Sequence, residues 1–139
     1  MEHSLKPGLK ISFKYRVPEN KTVPNLFPES DEFKVMPEVF ATGYLVGLIE
    51  WACIRLINEH INWPDDQTVG TSVNISHSSP TPPGLEITVD ILLKDIIKKK
   101  LIFEVSAHDG FDTITSGTHE RYIINKEKFD ISLKNKAVK

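Results

Sequence analysis

The stretch "GYLVGLIEWACIRLINEH", residues 43–60, decides the fold. Leu45, Leu48, Ile49, Ala52 and Leu56 recur at i, i+3, i+4, i+7 and i+11, the period of a helix face. Val46, Glu50, Cys53 and Ile57 form a second stripe beside the first. The spacing predicts a helix from about Gly43 to His60, with Thr42 placed to cap its N-terminus. A helix apolar on so many sides is covered by more than one neighbour, as when a sheet curls around it. One residue sits oddly in this pattern. Between Tyr44 and Ile57 the only charges are Glu50 and Arg55. A carboxylate taken out of water costs several kcal/mol unless it is paired or hydrogen-bonded. Glu50 therefore either lies at an exposed edge, or pairs with Arg55, or belongs to a low-dielectric site that does nucleophilic or acid/base work.

Upstream, "LKISFKYRV" (Leu9–Val17) alternates, with Leu9, Ile11, Phe13, Tyr15 and Val17 on one face of a half-buried strand. Pro18, Pro24, Pro28 and Pro37 then forbid a long regular element. Val23, Leu26, Phe27, Phe33 and Met36 are too apolar for a disordered tether. Residues 18–37 read as a lid that packs on something.

Downstream, four strand-like segments follow the break "NWPDD". Thr71–Ser79 puts Val73, Ile75 and His77 on one face. Leu85–Leu93 and Leu101–Ala107 alternate without fault, and Thr113–Ile124 is longer and mixed. Hairpin turns are expected at Thr81–Gly84, at Lys98–Lys100 and at Asp109–Gly110. From Lys126 onward the chain is polar, a short helix or a frayed end. The expectation is one α+β domain over residues 1–139: a strand, a lid, a central helix, and an antiparallel meander of four strands.

Composition narrows the function. A chain of 139 residues with net charge −2 presents no basic surface for nucleic acid. The lysine cluster reads as a solvated turn, with a phosphate contact as the alternative. Cys53 is the single cysteine, so no internal disulfide forms and a reducing, cytoplasmic setting is expected. No stretch has the length of a membrane span, and "MEHSLKPGLK" lacks a signal-peptide core. His119-Glu120 in "GTHERY" has no second histidine at zincin spacing, and no metal site is expected. His77 on an apolar strand face is more often a core residue than a catalyst. Its serine neighbours lack a nucleophile elbow.

Four segments carry a resemblance: "KTVPNLFPES" (21–30), "MPEVFATGYLVGLIEWACIRL" (36–56), "GTSVNISHSSPTPPGLEITV" (70–89) and "SAHDGFDTITSGTHERYIINKEKF" (106–129). Together they resemble the fluoroacetyl-CoA thioesterase-like branch of the hot-dog fold. The resemblance implies an antiparallel sheet wrapped around one long helix, and a homodimer formed by pairing two such sheets. It implies hydrolysis of an acyl-CoA to a carboxylate and free CoA, with neither metal nor cofactor. By motif it makes Thr42, Glu50 and His77 the catalytic group, with Glu50 and His77 facing each other across the helix–sheet boundary. Gly70 and Arg121 would surround the acyl and thioester end. Met36 stands where the fluoroacetyl-specific branch carries a lid phenylalanine. A flexible thioether there implies a less selective lid. A non-catalytic acyl-CoA-binding domain is the alternative. Enoyl-CoA hydration lacks its Asp-x-x-x-x-His arrangement.

Overall fold

The computed structural model describes residues 3–138. Its frame is a five-stranded antiparallel sheet of β1 (Lys10–Arg16), β2 (Asp66–Ile75), β3 (Glu86–Ile97), β4 (Lys100–His108) and β5 (Thr113–Asn125). The strands lie in the order β1-β3-β4-β5-β2. Alternation makes one face of this sheet apolar: Ile87, Val89, Ile91 and Leu93 of β3 are buried, as are Leu101, Phe103, Val105 and Ala107 of β4. Helix α2 (Thr42–Asn58) lies against that face. It buries Leu45, Leu48, Ile49, Ala52, Cys53, Leu56 and Ile57. Both stripes of the helix thus find partners, and this is the hot-dog arrangement.

Three local expectations are corrected. The last four strands are not a simple meander. β2 pairs with β5, and β3 takes β1 as its other neighbour. Residues 76–85 separate β2 from β3, more than the two to five residues of a tight hairpin. The Thr81–Gly84 turn therefore belongs to a crossover, anchored where Phe40 N–H donates to Thr81 O at 2.8 Å. The second correction is at Asp109, where the turn spans residues 109–112. The Asp109 carboxylate organises it, accepting from Phe111 N, Asp112 N and the Thr81 hydroxyl. The third concerns Thr42. Ala41 is the N-cap, Thr42 is already helical, and no side chain caps the helix.

The proline-rich stretch 18–37 holds short 3-10 turns at Glu19–Lys21 and Val23–Asn25 and the one-turn helix α1 (Asp31–Lys34). It is tied to the body by an isolated bridge between Thr22 and Phe40. Leu26 packs so closely on α2 that a Cβ on Gly43 would meet its Cδ2 at 3.2 Å. The polar tail forms α3 (Lys126–Ala137), capped by the Asn125 side chain accepting from Lys128 N. No residue of α3 is buried.

Candidate functional site

Two polar clusters lie along α2. At its N-terminus the Thr42 hydroxyl shares a 2.7 Å hydrogen bond with His77 Nδ1. Val23, Val39, Phe40, Thr42, His77 and Pro80 line an open cavity of about 220 Å³ there. His77 lies two residues past the end of β2, where Ser76 N and Ser78 N still donate to the Ser116 and Ile114 carbonyls, and it is half-buried on the same face as Ile75, as alternation places it. Burial lowers its pKa from the ordinary 6.5, because a desolvated imidazole resists charging. The imidazole is thus neutral at neutral pH and able to act as a base. Its Nε2 is buried without a hydrogen-bond partner among the described residues.

The second cluster centres on Arg121. Its side chain is 3% exposed, and Nη1 donates to Glu50 Oε2 at 2.8 Å. Nε donates to the Thr68 hydroxyl and Nη2 to the Thr68 carbonyl, each at 2.8 Å. Nη1 also approaches His119 Nε2 at 3.2 Å. Arg121 and His119 share the inner face of β5, two residues apart. Gly70 pairs with Arg121 in the β2–β5 register. A Cβ at Gly70 would stand 2.7 Å from Glu50 Oε2 and 3.3 Å from Arg121 Nη1. Glycine here lets the carboxylate and guanidinium meet.

Of the alternatives its stripe leaves open, Glu50 is half-buried rather than deep in the core. Its side chain is 36% exposed, at an edge of α2, and its partner is Arg121. Arg55 instead lies over the Phe13 and Trp51 rings. Cys53 is core, as its stripe predicts. Burial pushes its thiol up to about 12, Glu50 adds to the rise and Arg121 opposes it, so it is no nucleophile at neutral pH. Met36 is exposed and belongs to neither cluster.

The chain therefore joins Thr42 to His77, and Glu50 to Gly70 and Arg121. Eight residues of helix, about 12 Å at 1.5 Å per residue, separate Thr42 from Glu50. Within one chain Glu50 and His77 hydrogen-bond to different partners. Two members of the second cluster, His119 and Thr68, were missed as site residues. His119 was legible: it shares alternation with Arg121 and the buried Ile123 on one face of β5. Among the described residues no group of three or more His, Cys, Asp or Glu side chains could hold a metal ion. No helix there is long and apolar enough to cross a membrane.

A family model described as fluoroacetyl-CoA-specific thioesterase, FlK, matches residues 17–127. The chain belongs to this family. It is 44% identical over 137 residues to the fluoroacetyl-CoA thioesterase of Streptantibioticus cattleyicolor, covering 99% of this chain and 98% of that protein. A solved structure of the fluoroacetyl-CoA thioesterase FlK superposes with a TM-score of 0.92 at 44% identity, covering 96% of this chain and 98% of the other. An FlK phenylalanine-to-alanine mutant in complex with fluoroacetate and CoA gives a TM-score of 0.86 at 46% identity, over 90% and 99% of the two chains. At 14% identity, a hot-dog-like protein from Thermanaerovibrio acidaminovorans still superposes with a TM-score of 0.78, covering 94% of this chain and 91% of that one. That likeness concerns the fold.

Proposed function

We propose that this protein hydrolyses the thioester of a small acyl-CoA to a carboxylate and free CoA, at sites assembled between two copies of the chain. The observation that carries the activity is 44% identity, over 99% of the chain, to a fluoroacetyl-CoA thioesterase. The separation of the two clusters supports the assembly. β2 is an edge strand, and Gly70–Asn74 along it are exposed. An open edge of this kind is a template for another strand. Antiparallel pairing of β2 with its copy, about a two-fold axis near Val73, brings His77 of one copy toward Gly70 of the other. The Thr42–His77 pair then faces Glu50 and Arg121 across the interface, which also covers the exposed side of Glu50.

In such a site Glu50 attacks the thioester carbonyl and the C–S bond breaks, leaving a mixed anhydride and the CoA thiolate, which takes a proton from water. His77 then deprotonates a water that cleaves the mixed anhydride, releasing the carboxylate product and restoring Glu50, and His77 returns its proton to solvent. The shorter route has Glu50 and His77 activating water directly on the thioester. Thr42 orients the His77 imidazole in both. Backbone N–H groups at the start of α2, which no side chain caps, would stabilise the oxyanion. Neither route calls for a metal or a cofactor. Gly70 and Arg121 border the acyl end. Residues 18–37 act as the lid, and Met36 gives that lid a flexible side chain and a less selective fit. The composition fits a cytoplasmic enzyme.

Release of free thiol from acetyl-, fluoroacetyl- and propionyl-CoA tests the activity. Turnover of any of them supports it. Thermal stabilisation by these esters without turnover favours a non-catalytic acyl-CoA-binding module instead.

A further inference from the structure

His119 is fully buried on the inner face of β5, flanked in register by Val73 and Phe103. The mechanism above gives it no proton to move. Its contacts nonetheless fix its chemical state. Nδ1 lies 2.8 Å from the Ser72 carbonyl oxygen, which accepts and never donates, so Nδ1 carries the hydrogen. Burial lowers its pKa, against the Ser72 bond, and the Arg121 charge lowers it further. The ring is neutral, and Nε2 is left with a lone pair. That lone pair faces Arg121 Nη1 at 3.2 Å.

A guanidinium Nη1 has two hydrogens. One goes to Glu50 Oε2, and the second has His119 Nε2 as its acceptor. With Nε and Nη2 both held by Thr68, the guanidinium is fixed in its plane and in its rotation about that plane. A cationic imidazole would turn a second donor toward the guanidinium and break this arrangement.

We propose that His119 is a positioning residue: as a neutral hydrogen-bond acceptor it locks Arg121, and through Arg121 it sets the angle at which Glu50 is presented to the thioester. The proposal rests on the hydrolase reading above. It assigns a role to the polar pair His119–Arg121, which a purely apolar core would fill with packed hydrocarbon at less desolvation cost.

The test separates the two ring nitrogens. His119→Gln keeps an acceptor near the Nε2 position and gives up the donor to Ser72. His119→Asn keeps a donor near Nδ1 and withdraws the acceptor from Arg121. Steady-state kinetics on the best acyl-CoA of the panel, beside wild type, are expected to show kcat of the Asn variant down about tenfold or more with KM little changed. The Gln variant recovers most of that loss. Equal losses in the two variants, or a larger loss in Gln, overturn the proposal. Absence of wild-type turnover overturns the hydrolase reading, and this inference with it. A second measurement needs no variant. Nitrogen-15 NMR of histidine-labelled wild-type protein is expected to show His119 with Nδ1 protonated and Nε2 bare at neutral pH. The opposite tautomer, or a doubly protonated ring, also overturns the proposal.

Discussion

Gly70 and Glu50 approach so closely that the smallest side chain would collide with the carboxylate: a Cβ on Gly70 would lie 2.7 Å from Glu50 Oε2. Glu50 is the far end of a flexible, partly exposed side chain, so it yields to the intruder while the fold persists. Gly70→Ala is expected to lower kcat/KM about tenfold or more through displaced geometry, with a melting temperature within a few degrees of wild type. Thiol-release kinetics beside thermal melting check this. A variant that melts early and keeps full activity per folded molecule would contradict it.

Glu50→Gln keeps an oxygen for Arg121 and removes the negative charge. The expected loss of kcat is on the order of a hundredfold or more, because the proposed mechanism then has no nucleophile or base on α2. Stability is a separate readout. Arg121 is buried and loses its ion-pair partner, but it keeps its bonds to Thr68 and an amide oxygen in place of the carboxylate, so the cost is about 1–3 kcal/mol. Urea unfolding measures it.

As the proposed base, His77 is expected to supply the pH dependence of activity. Its neutral form would take the proton, and within one chain burial lowers its pKa from 6.5. Activity is therefore full above that value and falls as pH drops through the lowered pKa. The acid limb of a kcat/KM profile is expected to have its midpoint below 6.5 and to vanish with activity in His77→Ala. An acid limb that persists unchanged in the residual activity of His77→Ala would assign it to another group.

Asp109 governs stability in acid. Burial by itself would raise its pKa, but hydrogen bonds from Asp112, Phe111 and Thr81 outweigh burial and hold it below the ordinary 3.8. A carboxylate depressed in the folded state adds stability in full above the unfolded value, and that stability is lost as pH falls through the folded value. Asp109→Ala is expected to cost about 1–3 kcal/mol at pH 7. The difference from wild type shrinks below about pH 3.8, as paired urea titrations would show.

Much of this architecture is legible in the residues themselves, and the exceptions share a cause. The period of Leu45, Leu48, Ile49, Ala52 and Leu56 identifies the helix and its buried face. The alternation of Ile87–Leu93 and Leu101–Ala107 identifies two core strands and the side they bury. Such patterns are local, and burial enforces them. Strand order is not local. Nothing in Asp66–Ile75 announces that its neighbour is β5 rather than β3, because each offers an equivalent ladder. Glu50 stays open in the sequence for a related reason. Its stripe allows an exposed edge, an Arg55 pair or a buried site, and the partner it takes, Arg121 beside Gly70, is brought in by that same non-local pairing. Thr42 has the chemistry of a cap, yet its hydroxyl is engaged by His77, thirty-five residues on.

A hydrolytic site shared between two copies, as proposed above, is tested by mixing inactive chains. One chain carries Glu50→Gln, the other carries Thr42→Ala with His77→Ala, and each alone is expected to release little thiol from acyl-CoA. Co-refolding equal amounts gives mixed dimers in which one site regains Thr42 and His77 from the first chain and Glu50 from the second. Recovery of roughly a quarter of wild-type activity is expected, since about half the dimers are mixed and each has one intact site of two. A co-refolded mixture as inactive as its parents, beside an active and equally refolded wild type, would contradict the shared site.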